Sequence, residues 1–495
     1  MKIAVPATQL LVSLLLVFPY VLSAEDWPQF RGPNCSGIST ASDALPVKFS
    51  ATEKVRWTAD LGDGIGCPVV ADGRIFVSAV VENRKIGLYC FDSASGRRLW
   101  ERTWDTGLLL EVHETNSHAS TTPAADADRV YFYSSTLGML ALDARSGADV
   151  WRQKLPVPYF VFKWGAGISP VLYGDKLLFV QDDDIYPALY AFDKSTGKIL
   201  WKDDRSDMAV NYSHPVICET AAGPELVVAG TGKLIGYNLQ TGRRQWHART
   251  LLRNIKTTPA VQDGVVYISL ESGGIANQWL ATADRSDTGN SDGKLSKEEM
   301  QAFVGEIKIP PAFFKKTFDR GDANKDGLLE GSELDRAFLP ADNFAGAAFN
   351  DVNPSQRFIQ AVRGGGKGDV TQSHVLWNIA DRTPDHIVSP LVLENRMFVV
   401  KGGGISSCFN TADGEPFWHL RRIQNIGEYF ASPICGDGKI YVAGENGTVI
   451  VLAAEEQLKV LAKNRLDDSI VATPAIADGR LLVRTRTKLI CFGEK

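Results

Sequence analysis

Short runs in which apolar and polar residues alternate recur along the chain, and they predict β-strands rather than long helices. Residues 74–77 (RIFV) and 265–268 (VVYI) are two of them. Asp-Gly pairs, such as Asp72-Gly73, stand before several of these runs and indicate tight hairpin turns. The pattern therefore predicts an all-β fold built from repeated hairpins.

A mostly small residue followed by proline opens each repeat. Apart from one long gap, the prolines are about 40–55 residues apart, a period typical of the four-stranded blade of a β-propeller. Eight such anchors predict an eight-bladed β-propeller, with seven blades as the alternative. The anchors are Cys67-Pro68, Thr122-Pro123, Ser169-Pro170, His214-Pro215, Thr258-Pro259, Ser389-Pro390, Ser432-Pro433 and Thr473-Pro474.

A second signature closes five of the repeats: Asp or Asn, three residues, Gly, three residues, Trp. The Asp or Asn side chain hydrogen-bonds nearby backbone to start a turn, and Gly supplies a positive φ. We expect each Trp to pack its flat surface between neighbouring sheets. The copies end at Trp100, Trp151, Trp201, Trp246 and Trp418.

The two ends of the repeat array are complementary. The last repeat lacks an outer strand, whereas Val55-Arg56-Trp57 precedes the first anchor without a blade of its own. The sequence therefore predicts that the first and last segments share one blade. Such sharing closes the ring and removes exposed sheet edges.

The gap between Pro259 and Pro390 is roughly 87 residues longer than a normal blade. Residues 272–356 are therefore predicted to form a small α-helical insertion between the second and third strands of one blade. A segment within them matches the twelve-residue calcium loop of an EF-hand, in which oxygen ligands surround a hard cation. The predicted calcium ligands are Asp322, Asn324, Asp326, the carbonyl of Leu328, Glu330 and Glu333.

An earlier copy of the loop is imperfect. Asn290, Asp292 and Glu299 fall at positions three, five and twelve, but position one is Thr288, and Asp287 comes one residue too early. Either a one-residue bulge brings Asp287 into the site or this loop binds calcium weakly. Calcium is predicted to be structural, or to regulate binding by moving the EF-hand pair.

Composition adds the cellular context. Residues 1–23 contain a short apolar core that ends in small residues, which predicts a cleaved signal peptide; a membrane anchor is the alternative. The remaining divisions are predicted at 24–271 (first blades), 272–356 (insertion) and 357–495 (last blades). We expect an exported, periplasmic or secreted protein that does not span the membrane. A net charge of −5 argues against nucleic acid as a partner.

Seven cysteines are present, and Cys90, Cys408 and Cys491 stand where other repeats carry small apolar residues. They are expected to be buried thiols, although a pair brought together in space stays open.

The Asp-x-x-x-Gly-x-x-x-Trp motif resembles that of the pyrroloquinoline quinone-like propellers. This group includes quinoprotein alcohol dehydrogenases and the propeller lipoprotein of the outer-membrane protein assembly machine. The opening DWPQFRGP (residues 26–33) and Gly368-Asp369-Val370-Thr371 are similar to many exported bacterial members. The dehydrogenases use two adjacent cysteines and a Glu, Asn and Asp around cofactor calcium; neither set is matched here. The lipidated cysteine of the assembly lipoprotein is also missing, so neither function is carried over.

The residues before each proline are expected to line a central channel that could hold a small molecule. The channel candidates are His118, His214, His386, Lys163, Trp164 and Lys256. Residues 364–369 (GGGKGD) lack the pattern of a phosphate loop and predict a turn. We therefore interpret the chain as a non-catalytic binding or scaffold protein for a protein or glycan partner. A pyrroloquinoline quinone-dependent oxidoreductase is the alternative, although no site residues match that cofactor.

Overall fold

The structure, a computed structural model, describes residues 26–494 except 42, 83, 108, 161–162, 207–210, 231, 250–254, 273–279, 286–287, 305–310, 339–355, 385–386 and 424–426. Its described part confirms the all-β, eight-bladed propeller, because the strands form eight antiparallel sheets of at least four strands. The first strand of each sheet follows a proline anchor and lies innermost. The predicted signal peptide and His386 lie outside the described residues.

The blades are numbered from the first anchor, and each is given from its innermost strand outward. Blade 1 has Val69–Ala71, Arg74–Glu82, Lys85–Asp92 and Arg98–Asp105; blade 2 has Ala124–Ala125, Arg129–Ser134, Gly138–Asp143 and Asp149–Gln153; blade 3 has Val171–Tyr173, Lys176–Gln181, Ala188–Asp193 and Ile199–Asp204; blade 4 has Val216–Thr220, Gly223–Gly230, Lys233–Tyr237 and Arg244–Arg249.

The second half of the ring repeats this order. Blade 5 has Ala260–Gln262, Val265–Ser272, Gln356–Arg363 and Val375–Ala380; blade 6 has Leu391–Leu393, Arg396–Lys401, Ile405–Asn410 and Pro416–Arg422; blade 7 has Ile434–Gly436, Lys439–Ala443, Thr448–Ala453 and Val460–Arg465; blade 8 has Ala475–Ala477, Arg480–Arg484, Lys488–Gly493 and Val55–Asp60.

Blade 8 joins the two ends of the array, as predicted. Val55–Asp60 pairs antiparallel with Lys488–Gly493, and Trp57 lies opposite Cys491. The middle strands of the blades are buried on both faces, as in Lys176–Gln181 and Thr448–Ala453, and all seven cysteines are buried and unpaired. The cysteines therefore act as small apolar residues of the core.

The closing tryptophans join neighbouring blades. The Trp151 ring of blade 2 covers Gly197 of blade 3, where an added Cβ would lie 2.5 Å from the ring. Trp151 Nε1 also donates a hydrogen bond to the Lys194 carbonyl at 3.0 Å. Gly197 has a φ of +73°, so the turn needs glycine for both space and conformation. Four other ring and glycine pairs repeat this contact: Trp57 with Gly96, Trp100 with Gly147, Trp201 with Gly242, and Trp377 with Gly414.

Trp246 and Trp418 depart from the expected packing between blades. Each donates its Nε1–H within its own blade, Trp246 to Glu225 at 2.9 Å and Trp418 to Ser406 at 3.3 Å. The reason lies in the following blade, which lacks the Asp- or Asn-started turn that would receive the ring. Residues 368–369, predicted as part of a turn, instead form a short fifth strand parallel to the outer strand of blade 4.

Between the second and third strands of blade 5 lie a π-helical turn, Leu280–Asp284, and three short helices, α1 (Lys297–Val304), α2 (Pro311–Gly321) and α3 (Ser332–Phe338). A two-stranded bridge pairs Leu295–Ser296 with Leu328–Leu329. Met300 and Phe318 belong to a small separate core, which packs against Tyr159 and Ile185 of the ring. A further short helix, α4 (Thr371–His374), precedes the last strand of blade 5. No helix within the described ranges is long and apolar enough to cross a bilayer.

Candidate functional site

The anchor residues form a ring of hydrogen bonds around the propeller axis. The backbone N–H before each proline donates to the side chain of the anchor in the next blade, as when Thr122 donates to Ser169 Oγ at 2.9 Å. Seven such bonds, between 2.9 and 3.3 Å, run from Cys67 through Thr122, Ser169, His214, Thr258, Ser389 and Ser432 to Thr473. The position before proline therefore needs a side-chain acceptor as well as a small volume. We call these eight residues the anchor ring.

Cys67 completes the anchor ring. Burial raises the pKa of its thiol, and hydrogen bonds from Thr122 and from the backbone of Thr473 oppose that rise. A thiol is a weak hydrogen-bond partner, so Cys67 is the weakest member of the anchor ring.

One end of the channel is closed by residues 26–37, the N-terminal plug. Its backbone pairs with blade 1 between Trp27 and Val70, and Asn34 makes two hydrogen bonds, 2.7 and 2.8 Å long, with the backbone of Ile217 in blade 4. The fully buried Arg31 guanidinium donates to the Pro390 carbonyl at 2.7 Å. Because it bonds to blades on opposite sides of the ring, the plug is a permanent part of the channel.

Above the plug lies a cavity of about 410 Å³ that opens on the opposite face. Phe30 of the plug forms part of its floor and stacks on His214 with ring centroids 4.3 Å apart. Seven anchor-ring residues line its lower wall, and aromatic residues line the wall nearer the mouth. These aromatic residues are Trp164, Tyr212, Tyr429 and Phe430.

Three of these aromatic side chains contribute ring surface to the cavity wall while their polar atoms lie buried behind it. Trp164 Nε1, Tyr212 Oη and Tyr429 Oη are buried and have no hydrogen-bond partner within the described part of the chain. The Trp164 ring is held between His113, whose ring stacks at 4.5 Å, and Lys256, whose Nζ lies 4.8 Å from the ring centroid. A preformed aromatic surface among hydroxyl and amide side chains is suited to a polar ligand that presents a flat face.

The structure separates the channel candidates predicted from the sequence. His214, Trp164 and Lys256 line the cavity, whereas His118 and Lys163 line a smaller neighbouring cavity of about 100 Å³. Tyr212, Phe30 and Tyr429 were not predicted. Only Phe30 lies in a segment that the sequence singled out, the DWPQFRGP opening.

His214 is held as a neutral ring. Burial, assisted by the positive charge of Arg31, lowers the pKa of His214 to about 3. Its Nε2 accepts the Ser169 N–H at 3.0 Å, so the other nitrogen, Nδ1, carries the proton toward Thr258 Oγ1, also at 3.0 Å. Protonating Nε2 would place two donors against each other and break the anchor ring.

This arrangement predicts a pH-dependent stability. Below the ordinary histidine pKa of 6.5 the unfolded chain binds a proton that native His214 does not. Stability should therefore fall by about 1.4 kcal/mol per pH unit as the pH drops from about 6 towards 3. In the variant His214→Thr, which carries the residue used in other blades, the number of protons taken up on unfolding should be smaller by about one, so the free energy of unfolding should depend less on pH. Urea unfolding midpoints at several pH values measure it, and an unchanged slope in the variant would contradict the assignment.

The structure places acidic residues together in both loops of the insertion. In the described chain, one group of three acidic residues has its oxygens within 4.8 Å of one another, and it lies in the first loop: Asp284, Asp292 and Glu299. Asp284 was not predicted, and Asp287 lies outside the described residues. In the second loop, Asp322 accepts the Gly327 N–H at 3.0 Å and Glu333 accepts the Ala323 N–H at 2.9 Å.

The other predicted second-loop residues surround that turn. Asn324 accepts the Asp326 N–H at 2.9 Å, Asp326 accepts the Leu328 N–H at 2.9 Å, and Glu330 forms an ion pair with Lys294 at 2.7 Å. Glu333 Oε2 is buried and lacks a partner among the described residues. The donor set of this loop consists of oxygens, which fits a hard cation such as calcium.

The cavity fits bound pyrroloquinoline quinone poorly. That cofactor carries three carboxylates and, with calcium, needs several cationic and anionic partners. The described lining offers one lysine, Lys256, and one carboxylate, Glu428. Its remaining polar groups are hydroxyls, one amide, a thiol and two histidines, so a single carboxylate and a single lysine supply too few of the calcium ligands and too little compensating charge.

Repeated four-stranded blades joined by tryptophan-covered turns define the class of the protein, a propeller of the pyrroloquinoline quinone-like repeat type. A family model described as outer membrane protein assembly factor BamB matches residues 39–158 and 85–307, a span of more than half of the chain. The chain belongs to this family.

The similar proteins include some named as assembly factors and some named as quinone dehydrogenases. The chain is 22% identical over 441 residues to an outer membrane protein assembly factor BamB of Yersinia pestis, covering 84% of this chain and 94% of the relative. It is 23% identical over 221 residues to the BamB of Moranella endobia, covering 42% of this chain and 53% of that protein, about half its length. It is 30% identical over 312 residues to a 1-butanol dehydrogenase (quinone) of Thauera butanivorans, covering 59% and 46%.

Among solved structures, the computationally designed Ika8 protein superposes with a TM-score of 0.51 and 9% identity, covering 88% of this chain and 98% of the other. At that identity the likeness concerns the fold alone.

Proposed function

We propose that this chain is an exported, non-catalytic binding propeller, whose plugged channel receives a neutral, polar part of a protein or glycan partner, and whose insertion binds calcium. The observation that carries the proposal is the cavity wall. Trp164, Tyr212 and Tyr429 present aromatic surface, hydroxyl and amide side chains such as Ser120 and Asn116 lie among them, and charged groups are scarce. Stacking against aromatic rings combined with hydrogen bonds suits sugar rings and polar peptide segments.

The similarity to proteins named as assembly factors supports a binding role over a catalytic one. Of the two histidines in the described lining, the neutral His214 is engaged on both ring nitrogens, and His113 shares a hydrogen bond of 2.9 Å with Thr115 Oγ1. The periplasm or the exterior is the proposed location, and the partner is a protein or glycan found there.

Site-specific photo-crosslinking tests the position of the binding surface. A photoreactive phenylalanine analogue at Trp164 should capture the partner in the native host. The matched control is the same substitution at Leu200, which is 45% exposed on the outer strand of blade 3, away from the cavity. Capture at Leu200 alone would move the binding surface to the side of the ring and overturn the proposal.

Trp164→Ala should weaken partner binding at least tenfold, because stacking on an aromatic ring contributes about 1–1.5 kcal/mol beyond apolar burial. Affinity measured with the captured partner by isothermal titration gives this value, and a matched thermal midpoint excludes unfolding as the cause. Affinity equal to that of the unmodified protein would contradict the role of Trp164.

The similarity to a 1-butanol dehydrogenase (quinone) keeps the oxidoreductase as a second candidate. Its test is a titration of the purified protein with pyrroloquinoline quinone, with and without calcium, followed by dye reduction over simple alcohols and sugars. Binding with turnover would replace the proposed function by the quinone-dependent one, whereas neither binding nor turnover is the result we expect.

A further inference from the structure

The first acidic loop of the insertion has the geometry of the second, but in an expanded form. We propose that residues 284–299 form a sixteen-residue calcium loop in which Asp284 is the first ligand, together with Asp292 and Glu299. This inference rests on the proposed calcium-binding role of the insertion and adds a site whose first ligand the sequence register does not indicate.

Matching hydrogen bonds identify Asp284 as the equivalent of Asp322. The sharp glycine turn of each loop donates its N–H to the first aspartate: Gly293 to Asp284 Oδ2 at 3.2 Å, and Gly327 to Asp322 Oδ2 at 3.0 Å. Both glycines have positive φ, +80° and +85°. Asp284 and Asp322 therefore accept equivalent hydrogen bonds in the two loops.

The equivalence continues along both loops. Asp292 N–H donates to Asn290 Oδ1 at 2.8 Å, as Asp326 N–H does to Asn324 Oδ1 at 2.9 Å. The final glutamate accepts the backbone N–H at position three in each loop, from Asn290 to Glu299 at 3.3 Å and, in the second loop, at 3.4 Å. From Asn290 onward the first loop thus has ordinary EF-hand spacing, and only its beginning differs.

Asp284 is placed as a ligand rather than as a surface carboxylate. Its side chain is fully buried, and its Oδ1 has no hydrogen-bond partner among the described residues. One oxygen each from Asp284, Asp292 and Glu299 lies within 4.8 Å of the other two. A buried carboxylate oxygen without a donor is costly, and a cation held among three carboxylates removes that cost.

Compared with a twelve-residue calcium loop, the first loop has four additional residues, which lie between its first and third positions. Asp284 ends the π-helical turn Leu280–Asp284, and the chain returns so closely that a Cβ at Gly289 would lie 2.0 Å from the Asp284 carbonyl oxygen. The Asp284 carbonyl also accepts the Ser291 N–H at 2.9 Å. These contacts hold Asp284 against Gly289 and Ser291, so Asp284 reaches the site although it lies eight residues before Asp292.

The two loops are joined back to back. Leu295 pairs with Leu329 in the short bridge, and both side chains are buried. Lys294 of the first loop forms an ion pair with Glu330 of the second at 2.7 Å. Filling one loop therefore stiffens the bridge that supports the other, and calcium should bind the two loops with positive cooperativity.

Calcium stoichiometry of the purified mature chain tests the inference. Isothermal titration of the calcium-stripped protein should give two ions per chain. Asp284→Asn should lose one ion, with affinity at that loop lowered by roughly 100-fold or more because a charged ligand is removed. Asp287→Asn, the matched control at the position that the sequence register favours, should keep both ions. Asp292→Asn repeats the test should Asp284→Asn fold poorly by circular dichroism.

Glu333→Gln separates this inference from the proposed function, because it removes the final ligand of the second loop alone. Loss of one ion in Glu333→Gln and of the other in Asp284→Asn supports both. A single ion that is lost in Glu333→Gln and kept in Asp284→Asn overturns the sixteen-residue site only. Loss in Asp287→Asn but not in Asp284→Asn also overturns it, and an unmodified protein that binds no calcium overturns the calcium role itself.

Discussion

Replacing Arg205 with alanine is expected to lower the free energy of unfolding by about 3–5 kcal/mol. Arg205 and Asp182 are both fully buried, and the guanidinium makes two hydrogen bonds of 2.7 Å to the carboxylate. Its third nitrogen donates to the Tyr237 hydroxyl at 2.6 Å, which ties blade 3 to blade 4. Without Arg205, the Asp182 carboxylate is left buried in the core without its counter-ion.

Arg205 stays protonated at neutral pH. Burial alone would lower the pKa of Arg205, but the neighbouring Asp182 carboxylate and Tyr237 more than offset it and raise the pKa above its ordinary value. The cost of truncation therefore comes from an unpaired ion and not from a change of protonation.

Urea unfolding of the Arg205→Ala protein measures the effect, and Arg102→Ala is the matched control. Arg102 joins blades 1 and 2 through an exposed 3.3 Å contact with Asp149, so its loss should scarcely move the midpoint. The double variant Arg205→Met with Asp182→Leu should recover most of the stability, because no buried charge remains. Equal midpoints for the two single variants would contradict the buried pair.

A comparable loss is expected from Gly197→Ala. The residue has φ of +73°, and the added Cβ would lie 2.5 Å from the Trp151 ring. The left-handed backbone conformation costs alanine about 1 kcal/mol, and overpacking of its Cβ against the Trp151 ring costs about 1–3 kcal/mol more. Displacing the ring also breaks the hydrogen bond from Trp151 to Lys194, worth about 1 kcal/mol.

Gly174→Ala, in the same blade, isolates the steric part of this effect. Gly174 also has positive φ, +57°, but nothing lies within 4 Å of an added Cβ. It should cost only the backbone strain, so thermal unfolding of the two variants should differ by several degrees in midpoint. Similar midpoints would show that the tryptophan does not rest on the glycine turn.

The repeats explain why so much of the fold is predictable from sequence. Each blade uses the same turn and the same anchor, so eight proline anchors and the Trp57 strand predict eight blades and their closure. The anchor ring supplies a physical reason for the pattern, since the residue before proline accepts a hydrogen bond from the preceding blade. Trp246 and Trp418 depart from expectation because the contact of each ring depends on the turn of the next blade. The sequence pattern within one repeat carries no information about that turn.

Features that occur once were not predictable in the same way. The contacts of the N-terminal plug join Asn34 to Ile217 across 183 residues of sequence, and no periodicity signals such a contact. Asp284 lies four residues outside the twelve-residue register, and only the return of the chain at Gly289 brings it to Asp292 and Glu299. Tyr212 and Phe430 both reach the cavity from the position two residues before the anchor, where the other six repeats carry no aromatic residue.

The shared eighth blade has a consequence for the order in which the protein matures. Its outer strand, Val55–Asp60, pairs with Lys488–Gly493, which is made more than four hundred residues later. The early strand must wait, unpaired, while those residues follow it. This ladder is therefore the last of the ring to form, and the ring stays an open arc until Lys488–Gly493 has emerged from the ribosome.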